Sequence, residues 1–195
     1  MSDEKKTTIF TSAPRPRKWQ EKALESWLKS MSGIAQVVTG GGKTFFALMC
    51  IDKWFERNPK ARVVILVPTI ALMDQWTSEI TENTEFTRER ISLHGGGWDD
   101  SIENQIHIMS IDSARKKSQR FDQSTLTFLI VDECHRAGSA ENRRGIDIAA
   151  QGTLGLSATP ERHSDDFYET ELIPVLGDPI VRYGYEEAMI DEVLS

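Results

Sequence analysis

The stretch LTFLIV, residues 126–131, is apolar at all but one position. Successive side chains of a β-strand point to opposite faces of its sheet, so both faces around this strand have to be covered. Such burial is typical of a central strand in a parallel sheet that carries helices on each side. The segment therefore favours a layered α/β fold and argues against an antiparallel sheet with one wet face.

Shorter apolar runs alternate along the chain with segments of helical periodicity. Helices are expected from about residues 17, 43 and 70, because apolar residues recur there at helical spacing. Alternation of this kind predicts an α/β fold with a doubly wound, mostly parallel sheet and helices on both faces. The further strands expected are 34–38, 62–67, 90–94, 106–110 and 153–157.

Composition narrows the classes of protein that the chain could belong to. The 195 residues include 39% hydrophobic residues, which is enough for one good-sized core. No apolar run approaches the roughly 20 residues of a membrane span, so no membrane partner is expected. Two cysteines make no disulfide framework, and a cytoplasmic location is the simpler expectation. The net charge of −7 argues against a basic surface that covers the whole molecule.

A phosphate-binding loop is predicted in the segment VVTGGGKT, residues 37–44. Strand, glycines, Lys-Thr and helix follow one another in the order that such a loop requires. Glycines let backbone N–H groups converge on phosphate oxygens, and the helix N-terminus adds partial positive charge. Lys43 would reach the terminal phosphates, and the Thr44 hydroxyl would bind Mg²⁺. The alternative is a glycine-rich turn before a helix with an incidental lysine.

An acidic pair, Asp132 and Glu133, follows the apolar strand 126–131 directly. The carboxyl end of a strand is where α/β sheets place their ligands. One carboxylate there could hold Mg²⁺, and the second could orient and deprotonate water. Two alternatives stay open, namely a solvated acidic turn and a zinc site that uses Cys134 and His135.

A third segment, LSATP (residues 156–160), brings Ser157 and Thr159 to the end of another predicted strand. Alone, it is only a strand end with hydroxyl groups and a proline. Its position after the other two motifs supports a functional role for this segment.

The ordered set of motifs resembles the first RecA-like domain of superfamily 2 helicases. The branch with XPB-type helicases and the motor subunits of type I and type III restriction enzymes is the most similar. The resemblance spans about residues 15 to 190, and Val37 departs from the family's usual Ala or Gly. The segments that carry it are RPRKWQEKALESWL, VTGGGKT, VPTIALMDQW, HGGG, MSIDSA, VDECHRAGS and LSATP.

The resemblance implies a RecA-like P-loop NTPase fold, with ATP and Mg²⁺ as cofactors and ATP hydrolysis as the activity. Coupling of hydrolysis to strand contact would pass through His135, Ser157 and Thr159. Catalysis is assigned to Lys43, Asp132, Glu133 and His135, and metal binding to Thr44 and Asp132. The nucleotide-binding residues would be Arg17, Gln20, Thr39, Gly40, Gly41, Gly42, Lys43 and Thr44.

The resemblance also implies a nucleic-acid partner, and its branch favours double-stranded DNA over RNA. Gln75 and Trp76 have an equal alternative as part of a helix that packs on the sheet. The candidate contacts to the nucleic-acid backbone are Thr69, Gln75, Gly95, Gly96 and Ser110.

The family pattern further implies a second RecA-like domain, in cis or in trans, which supplies arginines to the γ-phosphate. The expected organisation is a flexible lead-in (1–15), an ATP-binding domain (16–177) and a linker toward that absent domain (178–195). Arg162 would lie on the same side of the cleft between the two domains as the LSATP motif. The chain is thus expected to be the ATP-binding half of a helicase or translocase, and alone to be weakly active. The alternatives are an ATP-dependent switch without unwinding, and the motor portion of a restriction endonuclease.

Overall fold

The computed structural model describes residues 8–117, 121, 124–136, 145–146, 148–158 and 168–191. Two residues singled out above, Thr159 and Arg162, lie outside these ranges.

One mixed sheet organises the described part of the chain, with strand order β4–β3–β5–β2–β6–β7–β1–β8. All neighbouring strands run parallel except β3 and β4. This agrees with the expected α/β fold. The strands are β1 Ile34–Val37, β2 Arg62–Val67, β3 Ile91–Gly95, β4 Trp98–Asp99, β5 Ile106–Ser110, β6 Thr127–Val131, β7 Gly152–Ser157 and β8 Pro179–Tyr183.

Helices connect most of these strands. Short 3₁₀ turns precede β3 and follow β6, and a π-helical turn, Tyr168–Leu172, runs into the fifth helix. No helix of the described residues is both long and apolar enough to cross a membrane. The α-helices are α1 Lys18–Ser30, α2 Lys43–Arg57, α3 Ile70–Asn83, α4 Ile111–Lys117, α5 Ile173–Leu176 and α6 Tyr185–Ile190.

The strand that opened the sequence analysis is indeed covered on both faces. In β6, Phe128 and Ile130 belong to one buried apolar cluster, and Leu129 and Val131 belong to another. The strand β2 divides its side chains in the same alternating way. Full burial of each such side chain contributes roughly 1.5–3 kcal/mol, so these strands fix the centre of the sheet.

The junction between α1 and β1 is formed by two residues with different tasks, Met31 and Gly33. The helix ends at Ser30, and Met31 adopts a left-handed backbone with φ 54°, its N–H bonded to the carbonyl of Trp27 at 2.7 Å. Gly33 instead allows a close approach to β8, because an added Cβ would lie 2.4 Å from Cγ2 of Ile180.

Residues on both sides of the range 16–177 also contact the sheet and its helices. Near the start, Ile9 is buried and donates its backbone N–H to Asp52 Oδ1 at 2.9 Å. Near the other end, residues 179–183 form β8, which pairs with β1. The strand β8 is only half-buried and begins with proline, so its sequence lacks the apolar run that revealed the central strands.

Candidate active site

One edge of the sheet collects most of the candidate residues. They follow the carboxyl ends of β1, β2, β3, β5, β6 and β7, which are mutually parallel and therefore end at the same edge. That edge is where open α/β sheets bind ligands. The candidates form two neighbouring groups, one after β1, β6 and β7, and the other after β2, β3 and β5.

The glycine loop after β1 turns too tightly to accept a side chain at its centre. A Cβ added at Gly41 would lie 2.6 Å from Cγ1 of Val37 and 2.9 Å from the carbonyl oxygen of Val38. Gly42 has φ 95°, a conformation that favours glycine, and it precedes the first residue of α2. Val37 itself is fully buried, so the unusual residue at this position serves packing.

The N-terminus of α2 carries an electrostatic bias toward anions. Within the described residues, no side chain caps this end, and its first turn holds no acidic residue. Its first N–H groups therefore lack intrahelical partners and carry the positive end of the helix dipole. Lys43 adds a full charge and lies back along the loop, with Nζ 3.2 Å from the carbonyl oxygen of Val37.

The first helix holds the glycine loop from its outer side. Arg17 donates from Nη1 to the carbonyl of Gly41 at 2.7 Å, and Gln20 donates from Nε2 to that of Gly42 at 2.9 Å. The side-chain oxygen Oε1 of Gln20 accepts the backbone N–H of Arg17 at 2.8 Å, which fixes the orientation of the Gln20 side chain. In a trans peptide the N–H points away from the C=O. Because the carbonyls of Gly41 and Gly42 point toward α1, the N–H groups of Gly42 and Lys43 point away from α1.

A cavity of about 570 Å³ adjoins these contacts. The rings of Phe10 and Phe45 lie on it with their centroids 5.7 Å apart, and they offer apolar faces beside the polar Arg17 and Gln20. The sequence indicated the two polar residues but not the phenylalanines, because Phe10 falls in the expected lead-in.

Asp132 is buried at the end of β6, with 6% of its surface exposed. Its Oδ2 accepts the indole N–H of Trp76 at 2.9 Å, and its Oδ1 accepts the backbone N–H of Glu133 at 2.9 Å. Burial raises the pKa of Asp132, and the nearby Glu133 charge adds to the increase, while Trp76 and Lys43 oppose it. The bond from Trp76 was not predicted, since a buried tryptophan in a helix is typical of ordinary core packing.

The next two candidates form a polar chain to the end of β7. Glu133 has φ 48°, an unusual backbone conformation for a residue with a side chain. His135 Nδ1 lies 3.5 Å from Glu133 Oε2 and 3.2 Å from Ser157 Oγ. His135 therefore connects the acidic turn with the serine of the third motif.

The main cleft, of about 900 Å³, lies in front of this polar chain. It includes two arginines that sequence analysis did not single out, Arg136 and Arg182. Its lining is Thr39, Thr69, Leu72, Glu133, His135, Arg136, Ala158, Arg182, Gly184, Tyr185, Glu186 and Glu187.

The second group of candidates lies beside the first along the sheet edge. Gly95 approaches Ser110 so closely that an added Cβ would lie 2.6 Å from its Oγ, and one at Gly96 would lie 2.9 Å from Cδ1 of Ile70. Thr69 caps α3 by accepting the N–H of Leu72 at 3.3 Å, and it lines the main cleft. Gln75 is exposed on α3 and is not part of the cleft lining.

The alternative zinc site finds little support at Cys134. Its thiol is fully buried, and burial raises its pKa to about 12, with the charges of Glu133 and Asp132 adding to the increase. Within the described ranges, no group of three or more His, Cys, Asp or Glu residues is placed to hold a metal ion.

Comparison with known proteins identifies one matching family model and several relatives. The family model described as "Type III restriction enzyme, res subunit" matches residues 13–162. The DNA 3'-5' translocase XPB2 of Sulfurisphaera tokodaii is 36% identical over 177 residues, which cover 88% of this chain and 36% of the relative. A putative DNA 3'-5' helicase Rad25 of Haloarcula marismortui is 31% identical, over 85% of this chain and 26% of its own length. The chain thus spans about a third or less of these relatives.

Solved structures show the same fold. The UvsW helicase of bacteriophage T4 has a TM-score of 0.73 at 19% identity, with 89% of this chain and 63% of that chain covered. The helicase domain of Hef from Pyrococcus furiosus has a TM-score of 0.71 at 20% identity, with 91% of this chain and 39% of that chain covered.

Proposed function

The chain belongs to the family of type III restriction enzyme res subunits, within the superfamily 2 helicases, and we propose that it is the ATP-binding half of a motor that moves on double-stranded DNA. The observation that carries the proposal is the glycine loop with Lys43, which lies at the same sheet edge as Asp132 and Glu133. Relatives named as a DNA translocase and a DNA helicase support DNA over RNA.

The residues of the first group fit Mg·ATP. A Cβ on Gly41 would collide with Val37 and Val38, so the tight turn of the loop requires glycine, and the uncapped start of α2 favours anions. Thr44 and Asp132 would hold Mg²⁺, a hydroxyl and carboxylate set that suits this ion together with phosphate oxygens. When bound there, Mg²⁺ would supply positive charge that offsets the charge of the phosphates.

Each remaining residue of the group has a separate task in this proposal. Lys43 neutralises phosphate charge, and Glu133 accepts the proton of the attacking water. His135 joins Glu133 to Ser157, and so couples the state of the nucleotide to the end of β7. Arg17 and Gln20 hold the loop and border the cavity in which Phe10 and Phe45 would accommodate the adenine.

The second group is the proposed DNA contact. Thr69, Gly95, Gly96, Ser110 and Gln75 offer hydroxyl, backbone and amide groups at or beside the same edge. Such groups can bind phosphates without many charged side chains, so the net charge of −7 is no obstacle. The cytoplasmic location and a second RecA-like domain across the main cleft complete the proposal. Residues beyond the cleft, up to 195, would then lead toward that domain.

The proposal predicts opposite effects of two substitutions on ATP affinity. We expect Lys43→Ala to abolish detectable ATP binding, because the charge that faces the phosphates is lost. We expect Glu133→Gln to retain it, because Glu133 acts on water and not on the nucleotide. Calorimetric titration of each variant with ATP and Mg²⁺ measures the difference. Equal affinity of the wild type and the Lys43 variant would refute the phosphate loop.

A further inference from the structure

The indole of Trp76 makes a contact that core packing alone does not require. Its Nε1–H donates to Oδ2 of Asp132 at 2.9 Å, and the two side chains come from different elements, α3 and β6. Only 1% of Trp76 and 6% of Asp132 are exposed, so water does not compete for this bond. A hydrogen bond between a buried donor and a charged acceptor is stronger than an exposed one.

Other buried tryptophans of the described chain show what packing alone gives. Trp27 donates its indole N–H to a backbone carbonyl, that of Thr153, at 2.9 Å. The indole nitrogens of Trp19 and Trp54 have no hydrogen-bond partner among the described residues. The core thus tolerates an indole N–H with or without an acceptor, whereas that of Trp76 meets a candidate metal-binding carboxylate.

The two donors on Asp132 define the orientation of its carboxylate. Trp76 binds one oxygen and the backbone N–H of Glu133 binds the other. A carboxylate has about four lone-pair positions, so about two remain for other partners. With one donor on each oxygen, rotation of the carboxylate about its bond to the chain would break both hydrogen bonds.

Trp76 also joins the two groups of candidate residues. It lies on α3, whose N-cap is Thr69, seven residues earlier. At 1.5 Å per residue the two positions are about 10 Å apart along the helix. One rigid helix therefore extends from the proposed DNA contact to the carboxylate in the nucleotide group.

We propose that Trp76 is a positioning residue whose indole N–H holds the Asp132 carboxylate in the orientation that binds the Mg²⁺ of Mg·ATP. This inference rests on the proposed function. Groups that hydrogen-bond to metal ligands typically change metal affinity ten- to a hundredfold when they are removed. We expect removal of the indole N–H to weaken only the part of nucleotide affinity that depends on the metal, and to leave the metal-independent part unchanged.

The test compares nucleotide binding with and without the metal. A fluorescent ATP analogue is titrated into the wild type and into Trp76→Phe, once in excess Mg²⁺ and once in EDTA. We expect Trp76→Phe to bind ten- to a hundredfold more weakly in Mg²⁺ and with unchanged affinity in EDTA. Unchanged affinity in both conditions, or an equal loss in both, would overturn the inference.

Trp27→Phe is the matched control, because it removes an equally buried indole hydrogen bond away from the site. Trp27→Phe should lower thermal stability, as Trp76→Phe does. The ratio of the affinity in Mg²⁺ to the affinity in EDTA should stay at the wild-type value. A tryptophan analogue with sulfur in place of the N–H at position 76 keeps the ring volume and serves if Trp76→Phe does not fold. A parallel change of the ratio in Trp27→Phe would also contradict a specific role for Trp76.

The same titrations separate this inference from the proposed function. If Lys43→Ala binds the analogue as well as the wild type, the phosphate loop itself is refuted. If Lys43→Ala fails to bind while Trp76→Phe matches the wild type in Mg²⁺, only the role of Trp76 is refuted.

Discussion

His94 and His107 form a buried pair between β3 and β5. The rings stack with centroids 5.5 Å apart, and Nε2 of His94 lies 3.2 Å from Nδ1 of His107. His107 Nε2 lies 2.7 Å from the carbonyl oxygen of Asn104, so this nitrogen carries the proton and Nδ1 accepts from His94. His107 therefore has a defined tautomer, and the contact between the two rings stabilises the register of the two strands.

This pair predicts that the protein becomes less stable in mild acid. Burial and the nearby His94 and Arg62 together lower the pKa of His107 to about 4, against the opposing effect of its hydrogen bond to the backbone of Asn104. The unfolded chain takes up its proton near pH 6.5, so between about pH 6.5 and 4 the unfolded state binds more protons. The free energy of unfolding should fall across this window by up to about 3 kcal/mol. Urea denaturation at a series of pH values measures the change.

His107→Phe is the control for this titration. It keeps an aromatic ring between the strands and removes the titrating group, so the slope between pH 6.5 and 4 should decrease. An unchanged slope in this variant would assign the acid sensitivity to other groups.

At the scale of single elements, the glycine loop makes a sharp prediction. Gly41→Ala places a Cβ against Val37 and Val38, both of which are buried, so the loop has to shift. We expect ATP affinity to fall at least tenfold while the fold persists, because a loop N–H that moves by a fraction of an ångström loses its phosphate contact. Calorimetric titration and circular dichroism together measure this outcome.

Gly97→Ala is the comparison variant for the loop. Unlike Gly41, Gly97 has a positive φ, at 95°, and an added Cβ there would meet nothing within 4 Å. Gly97→Ala therefore introduces backbone strain without a steric clash, and Gly97 follows β3 in the second group of candidates. Equal losses of ATP affinity in the two variants would show that general strain, not loop geometry, causes the effect.

The elements differ in how well the sequence predicted them, and burial explains the difference. The strands β2 and β5 have the predicted bounds, and every residue of both strands is buried. The strands β4 and β8 were missed. Trp98 and Asp99 of β4 are exposed, and β8 combines three half-buried residues with one exposed and one buried residue, so neither strand shows an alternating pattern. Tertiary pairing, and not local pattern, forms these two strands.

At the scale of the whole molecule, the order of motifs predicted which residues would meet at one edge but not how they contact one another. The placement of Lys43, Asp132 and Ser157 follows from parallel strands alone. The bond from Trp76 to Asp132 depends on the rotation of α3 over the sheet, which the sequence does not encode locally. The same holds for the contacts of Arg17 and Gln20 with the glycine loop.

The open cleft predicts that this chain alone is a poor ATPase. Charge develops on the γ-phosphoryl group during transfer, and in the proposal the donors that stabilise it come from a second domain across the cleft. We expect turnover well below about 1 s⁻¹, the lower end of ordinary enzyme rates, and no acceleration by double-stranded DNA. A steady-state ATPase assay with and without DNA measures both quantities.

A version extended through a second RecA-like domain is the comparison for this assay, and it should be faster and respond to DNA. If the 195-residue chain already exceeds about 1 s⁻¹ and DNA accelerates it, then this chain supplies a complete catalytic site by itself.

The two outer strands of the sheet restrict how the molecule associates with other copies. The strand β4 has only two residues, and β8 begins with Pro179, which has no N–H, and carries the exposed Arg182. Short, charged or proline-bearing margins give a neighbouring polypeptide little backbone to pair with. Concentrated solutions should therefore resist amyloid-like aggregation through the outer strands of the sheet.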